Sequence, residues 1–439
     1  MKNQGLSKKH FFIISLMLFS MFFGAGNFIF PPMVGRDAGT SYYTAIMFFC
    51  LTAVLLPVLG VAAVAKAGDL KTLASRADPL FASIFVAVIY ISIGPLLAIP
   101  RAGNMPFEIS ATFIKEDYKT ISLVIYSVIY FALNWYVCIY PSKMVEILGK
   151  WLTPIMLFLI IVFFVVGFFK LTGDFNAPIG DYAVIPGSKA FIEGYQTMDA
   201  LAALVFGIVV ANAMKETGVK DESHLANSTV KAGMVAGAIL MVIYIMLGYL
   251  GASSASLFSD SKNGAELLSN LANHLFGGAG QVILGVAFFL ACFTTTTGLI
   301  GSVSTYFNEI LPKISYKQWV LIWCVVSFLI ANLGLNQILK FSIPILIAIY
   351  PIAIILIILS LINKMIDSNR GIYRICVYVC AFIGVVNAFD IAGFNIPVIT
   401  DLVSQFPFYK SMLGWIVPTA VCFAVSYVLY LLIGKKDNY

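Results

Sequence analysis

The chain has 439 residues, 60% of them hydrophobic and only 11% charged, where soluble domains carry about a quarter of charged residues. That composition excludes an ordinary water-soluble domain and describes a chain that crosses a membrane many times. The net charge of +6 is scattered through polar connections with no basic tract to track nucleic acid, and the seven cysteines show neither metal-ligand nor disulfide spacing.

A membrane-spanning helix needs about 20 apolar residues. Twelve such stretches are predicted, near 11–35, 41–65, 79–106, 120–139, 151–169, 190–214, 228–252, 280–308, 317–335, 341–362, 373–390 and 412–433. An all-α polytopic protein follows, lodged in a lipid bilayer. Lys2, Lys8 and Lys9 precede the first stretch as they would in a secretory signal, but the apolar core runs on without a convincing cleavage site, so it reads as a retained first helix. With the N-terminus in the cytoplasm, eighteen of the 27 lysines and arginines fall inside, from Lys2, Lys8 and Lys9 through Lys66, Lys143, Lys215, Lys220 and Lys364 to Lys435 and Lys436. The positive excess marks the cytoplasmic side, so both termini are expected there, in a multi-pass protein of the cell membrane.

The first span contains "FFGAGNFIFPP", residues 22–32. Gly24, Ala25 and Gly26 lack bulk, so the backbone can leave helical geometry there and let a ligand approach its N–H and C=O groups. With Asn27, Pro31 and Pro32 close by, the segment reads as a helix interrupted at membrane depth, although a small-residue contact between packed helices is the plainer alternative. Such a break exposes free N–H groups on one side and free carbonyls on the other. A zwitterion suits both: a carboxylate on the N–H groups of Ala25, Gly26 and Asn27, and an ammonium or cation facing carbonyls near Phe22 and Phe23.

Two longer connections follow, 170–189 and 252–280, expected as plain loops with a lid as the alternative. Between them the sixth span carries "EGYQTMDALAALVFG", where Gly194 permits a bend and Tyr195, Gln196, Thr197 and Asp199 bring polar groups into an apolar helix. Asp199 is the one acid placed well inside a span, and it is expected either to contact a ligand or ion or to cap the second half-helix. Two interrupted spans five apart suggest a five-helix unit repeated with inverted topology, a pattern that points to a transporter site near the bilayer midplane. The repeats would run over 11–170 and 190–362, with two additional helices in 373–433.

The eighth span holds "ACFTTTTGLIGS". Threonines in a row turn by about 100° each, so only a subset such as Thr294, Thr295 and Thr297 can face one site, where their hydroxyls suit a hard cation. Hydroxyls bonded to their own helix are the bland alternative. Neither HExxH nor GxSxG occurs, the three histidines fall in terminal or loop regions, and no ring of charges suggests a channel. No catalytic residue is assigned.

Together, "FFGAGNFIFPPMVGRDAG", "GYQTMDALAALVFG" and "TTTTGLIG" resemble the branched-chain amino-acid:cation symporter family, the BrnQ or LIVCS carriers, and the resemblance runs through nearly the whole chain. That family is similar in turn to transporters of the leucine-transporter (LeuT) fold, five-plus-five inverted repeats with discontinuous first and sixth helices. The resemblance implies a substrate of leucine, isoleucine or valine between those breaks, at Phe23, Gly24, Ala25, Gly26, Asn27, Tyr195, Gln196, Thr197, Met198 and Asp199. It also implies sodium as the coupling ion, held by carbonyls of Ser20, Phe23 and Ala291 and hydroxyls of Thr294 and Thr295, with no cofactor. Asn27 matches a side chain that serves a second sodium site in some relatives. Apolar selectivity is expected from Phe23, Met198 and Phe206. The rival expectation is a proton-coupled transporter of another amino acid or amine on the same fold, working through Asp199.

Overall fold

The computed structural model describes residues 7–110, 114–140, 146–171, 173–217, 221–394 and 396–433. Lys2, Lys143, Lys220, Lys435 and Lys436, counted above on the inside, lie outside the described residues. Every regular element among the described residues is helical. Helix overlies each of the twelve expected stretches, but eight helices are long and apolar enough to cross a membrane, nine when a pair bent by 42° counts as one. The count of twelve is not reproduced span for span, because breaks cut some apolar stretches into half-length helices.

The first stretch shows how. Ser7 caps α1 (Lys8–Phe22) by accepting the His10 N–H, and the helix stops where Phe23 leaves helical geometry at ψ 85°. A new helix, α2 (Ala25–Ala38), starts at once. Pro31 and Pro32 do not belong to the break: they ride inside α2. A proline there forfeits the bond to the carbonyl four residues back, yet their own carbonyls are clasped by a neighbouring helix, α5 (Glu222–Ser253, in the order below). A Cβ on Gly251 would lie 2.0 Å from the Pro32 oxygen, and one on Gly35 would lie 1.8 Å from the Gly248 oxygen. Only glycines let these two backbones meet so closely. Beyond α2 the helical run continues to Ala67, 43 residues in all. At 1.5 Å per residue that is about 65 Å, twice a bilayer core; the chain turns at Gly39, whose φ is 47°.

Four further helices position the site: α3 (Ala98–Ser110), α4 (Asp199–Glu216), α5, and, after a connection, α7 (Gly278–Ile310). The connection holds α6 (Gly264–Phe276), an amphipathic helix and no plain loop. Asn263 caps it by accepting the Glu266 N–H, and Leu267, Leu268, Leu271 and Leu275 are buried. It presses against α2 so closely that a Cβ on Gly264 would lie 2.1 Å from the Ile29 oxygen. The other long connection is also laced to the end of α2 and the turn after it: Ile179 N–H bonds Asp37 O and Thr40 N–H bonds Asn176 O, each at 2.9 Å. Helices on the outside keep bare apolar faces, such as Phe158, Phe168 and Phe169 on Thr153–Lys170. A surface of that kind is stable against lipid and not against water.

Candidate functional site

The two interrupted spans face each other. In the sixth, Pro186–Thr197 and α4 meet at Met198, which sits in the left-handed region at φ 66°. A non-glycine residue held there stores strain, a feature that clusters at ligand sites and switches. Gly194 permits the approach that sets this up, since its Cβ would lie 2.7 Å from Thr52. In the first span, Gly24 lies so close to α7 that a Cβ would meet Thr295 Oγ1 at 2.9 Å, and one on Gly26 would meet Arg101 Nη2 at 2.9 Å and the Gln196 oxygen at 3.1 Å.

Asn27 closes the break. Its Oδ1 accepts the Gly24 N–H at 3.0 Å, while its Nδ2 donates to Asp199 Oδ2 at 2.5 Å and to the Tyr244 hydroxyl. Tyr244 in turn donates to the same Asp199 oxygen at 2.9 Å. Asp199, Asn27 and Tyr244 are all buried, so each donor and acceptor depends on the others, and α2, α4 and α5 are tied at one point. The Asp199 carboxylate thus joins three helices through Oδ2 while still lining the cavity.

A cavity of about 20 Å³ lies between the breaks. Gly24, Ala25, Gly26, Asn27, Thr197, Met198 and Asp199 line it, and so do Met21, Phe22, Ile93, Leu299 and Thr295. This is room for about one water, so the site is closed around itself in this conformation. Phe23 and Tyr195 do not line it. The Phe23 ring packs between Phe19 and Phe28, and Tyr195 stacks on Tyr350 at 4.2 Å. Gln196 contributes its backbone oxygen beside Gly26. Phe206 packs on Phe22 at 5.6 Å, behind the lining.

Beside the cavity, oxygens converge. The Thr294 hydroxyl is within donating distance of Ser20 O at 2.9 Å and of Ala291 O, in its own helix, at 3.0 Å, and the Thr295 hydroxyl donates to Ser20 O at 3.3 Å. Four of the five residues expected around a cation therefore meet, with neutral oxygens suited to a hard monovalent ion. Thr297 does not join them: it bonds Asn134 Oδ1 at 2.9 Å, and Thr296 bonds the Tyr130 hydroxyl at 2.8 Å, so that half of the run holds the helix Glu116–Cys138. Thr295 belongs to both the oxygen cluster and the cavity wall.

Arg101 lines the cavity without being among the residues expected there. It falls within the predicted third span, yet counting by subtraction left it with the charges on the far side. The structure buries it at 3% exposure in the cavity wall. Arg101 lies in the first turn of α3, which starts after a third interruption, a wide turn at Ser92–Leu96 with Gly94 out of helical geometry. "IGPLLAIPR" carried the signal, a Gly-Pro pair inside an apolar run followed by a lone cation. Tyr244 gave less warning, as one tyrosine among many.

Two larger cavities open at the far end of α4. One of about 680 Å³ is lined by Lys66, Arg76, Lys215, Glu222 and Lys364, and another of about 210 Å³ by Tyr90, Glu216 and Glu309. Ala202 lines the central cavity and Gly207 the larger one, a separation of about 8 Å along the helix.

Comparison with known proteins gives a consistent result. Residues 7–433 match the family described as Branched-chain amino acid transport protein. The chain is 43% identical to the branched-chain amino acid permease BraB of Bacillus subtilis (strain 168) over 439 residues, covering 99% of both chains. It is 39% identical to the permease BrnQ of the same organism, covering 99% of this chain and 100% of that one. Among solved structures it is similar to Mhp1, a nucleobase-cation-symport-1 family transporter, with a TM-score of 0.59 at 16% identity, over 97% of this chain and 92% of that one. MhsT in complex with L-phenylalanine gives a TM-score of 0.59 at 13% identity, over 98% and 99%. These two likenesses show the fold, which is LeuT-like.

Proposed function

The chain belongs to the branched-chain amino acid transport protein family, and on that premise we propose that it takes up leucine, isoleucine and valine together with sodium by alternating access. It is a multi-pass membrane transporter and not an enzyme, as its relatives named permeases are. The observation that carries the finer reading is the meeting of two opened helices beside a cluster of neutral oxygens, with Thr295 in both. Substrate would lie against residues 24–27 and 197–199, its side chain among Met21, Phe22, Ile93, Met198 and Leu299. Sodium would take Ser20 O, Ala291 O and the hydroxyls of Thr294 and Thr295, with Phe23 O as the remaining expected ligand.

Coupling follows from shared geometry. An ion drawing Ser20 and Thr295 together fixes the end of α1 and the wall against which Gly24 rests, so each ligand improves the other's affinity. Alternating access would proceed by rocking of repeats 11–170 and 190–362 about this point, with 373–433 outside them. The cavities at the end of α4 supply the release path on the side that the lysines and arginines mark as cytoplasmic, with both termini there and the protein in the cell membrane.

Replacing sodium with choline at constant pH, with labelled leucine and the protein in proteoliposomes, tests the reading. Uptake should stop. Uptake that persists in choline and follows a proton gradient instead establishes the rival, proton coupling.

A further inference from the structure

A guanidinium taken out of water needs a partner, because an uncompensated buried charge costs several kcal/mol. Arg101 is buried in the central cavity wall, and its Nη1 has no hydrogen-bond partner among the described residues. Nη2 lies where a Cβ on Gly26 would come within 2.9 Å of it, and the guanidinium carbon faces the Phe30 ring at 5.9 Å. The one other charge in the lining, Asp199, attracts Arg101 from a distance but makes no direct ion pair with it among the described residues, and its Oδ2 is already engaged by Asn27 and Tyr244. The cavity therefore carries a cation with donor capacity to spare, next to the first-turn N–H groups of α2.

Resting on the transporter reading above, we infer that Arg101 recognises the carboxylate of the substrate. Its planar fork matches two carboxylate oxygens, which a lone ammonium or a single backbone N–H does not. The N–H groups of Ala25 and Gly26 complete the carboxylate's surroundings, and the substrate's ammonium turns toward Asp199. Since the wall holds one fixed cation and one fixed anion, a zwitterion satisfies both and leaves no net charge. An amine without the carboxylate leaves the guanidinium unpaired. Arg101 thus sets the substrate class, α-amino acids over amines and amides, while the apolar residues set the side chain.

The test measures carboxylate discrimination by the full chain in proteoliposomes: labelled leucine uptake with leucinamide and 3-methylbutylamine as competitors. The unaltered protein should bind leucinamide about 100-fold more weakly than leucine, the usual scale for leaving one partner of a buried charge pair unmatched. Arg101→Gln should raise the KM for leucine about 100-fold while changing inhibition by leucinamide less than about threefold, so discrimination collapses. Arg101→Lys keeps the charge without the fork and should lose about tenfold. Discrimination preserved in Arg101→Gln, or absent in the unaltered protein, overturns the inference. If Arg101→Gln is not monodisperse in detergent, Arg101→Lys decides, and unchanged discrimination there overturns it. A chain that carries no branched-chain amino acid, yet separates another amino acid from its amide through Arg101, sinks the substrate reading and leaves this inference standing.

Discussion

The first and third spans are both interrupted, and both interruptions rest on the same helix. Gly24 meets α7 at Thr295 and Gly94 meets it at Val303, about 12 Å apart along its axis. The two breaks differ in what they deliver. At Gly24 the chain opens to present backbone, with Asn27 closing the gap by accepting the Gly24 N–H. At Gly94 the wide turn precedes the helix whose first turn carries Arg101, so that a cationic side chain arrives in the cavity wall. One break makes a site out of main chain; the other supplies it with charge.

The harshest way to break that contrast is to fill the space where main chain and charge meet. Gly26→Val puts a branched side chain where even a Cβ lies 2.9 Å from Arg101 Nη2 and 3.1 Å from Gln196 O. The guanidinium end can swing away, but the Gln196 carbonyl is backbone and cannot. Leucine uptake should fall by more than about 100-fold, the cost of misplacing a binding group by an ångström or so, with the amount of protein in the membrane unchanged. Leucine binding retained in this variant would remove residues 24–26 from the site.

A milder change probes the ion side of the first break. Thr294→Ala with Thr295→Ala removes both hydroxyls near Ser20 O and should raise the sodium concentration for half-maximal uptake about tenfold, in line with losing one or two hydrogen-bonding oxygens. Leucine affinity at saturating sodium should hold nearly constant. An unchanged sodium response would move the ion elsewhere in the structure.

How much of this could be read beforehand follows from the kind of signal each part leaves. Helices are legible because apolar length alone declares them, and the first and sixth breaks because glycines and polar residues stand out against Phe, Leu and Ile. The partners of Asn27 are not, since Asp199 and Tyr244 lie 172 and 217 residues away and only the fold brings them together. Pro31 and Pro32 mislead because proline breaks a lone helix, whereas here Gly248 and Gly251 let α5 pack tightly enough to support one. Arg101 was lost for a different reason: counting positive charge to orient the chain treats each cation as belonging to a loop, which is the assumption a buried functional arginine violates. The helix α6 was readable in principle, from Asn263 and Glu266 at its start and leucines at helical spacing, but its polar residues dilute the hydropathy below that of a span.

The smallest change separates the two breaks most sharply: one methyl group added to each. Gly24→Ala would press on the Oγ1, Cβ and Cγ2 of Thr295 at 2.9 to 3.2 Å, so Thr295 has to turn, and its hydroxyl belongs to the oxygen cluster. Sodium dependence should shift, by about threefold, on the scale of weakening one hydrogen-bonding oxygen. Gly94→Ala would press on Val303 Cγ2 at 2.7 Å, an apolar contact outside that cluster, costing about 1–3 kcal/mol of overpacking. The Gly94→Ala protein should melt earlier in detergent with its sodium dependence intact, and Val303→Ala added to it should recover part of the loss, since the smaller side chain admits the new methyl. Sodium titrations of uptake beside thermal melts of both variants distinguish the cases. A sodium shift of equal size from both alanines would mean that α7 moves as one rigid body, and that the two breaks are not separate devices.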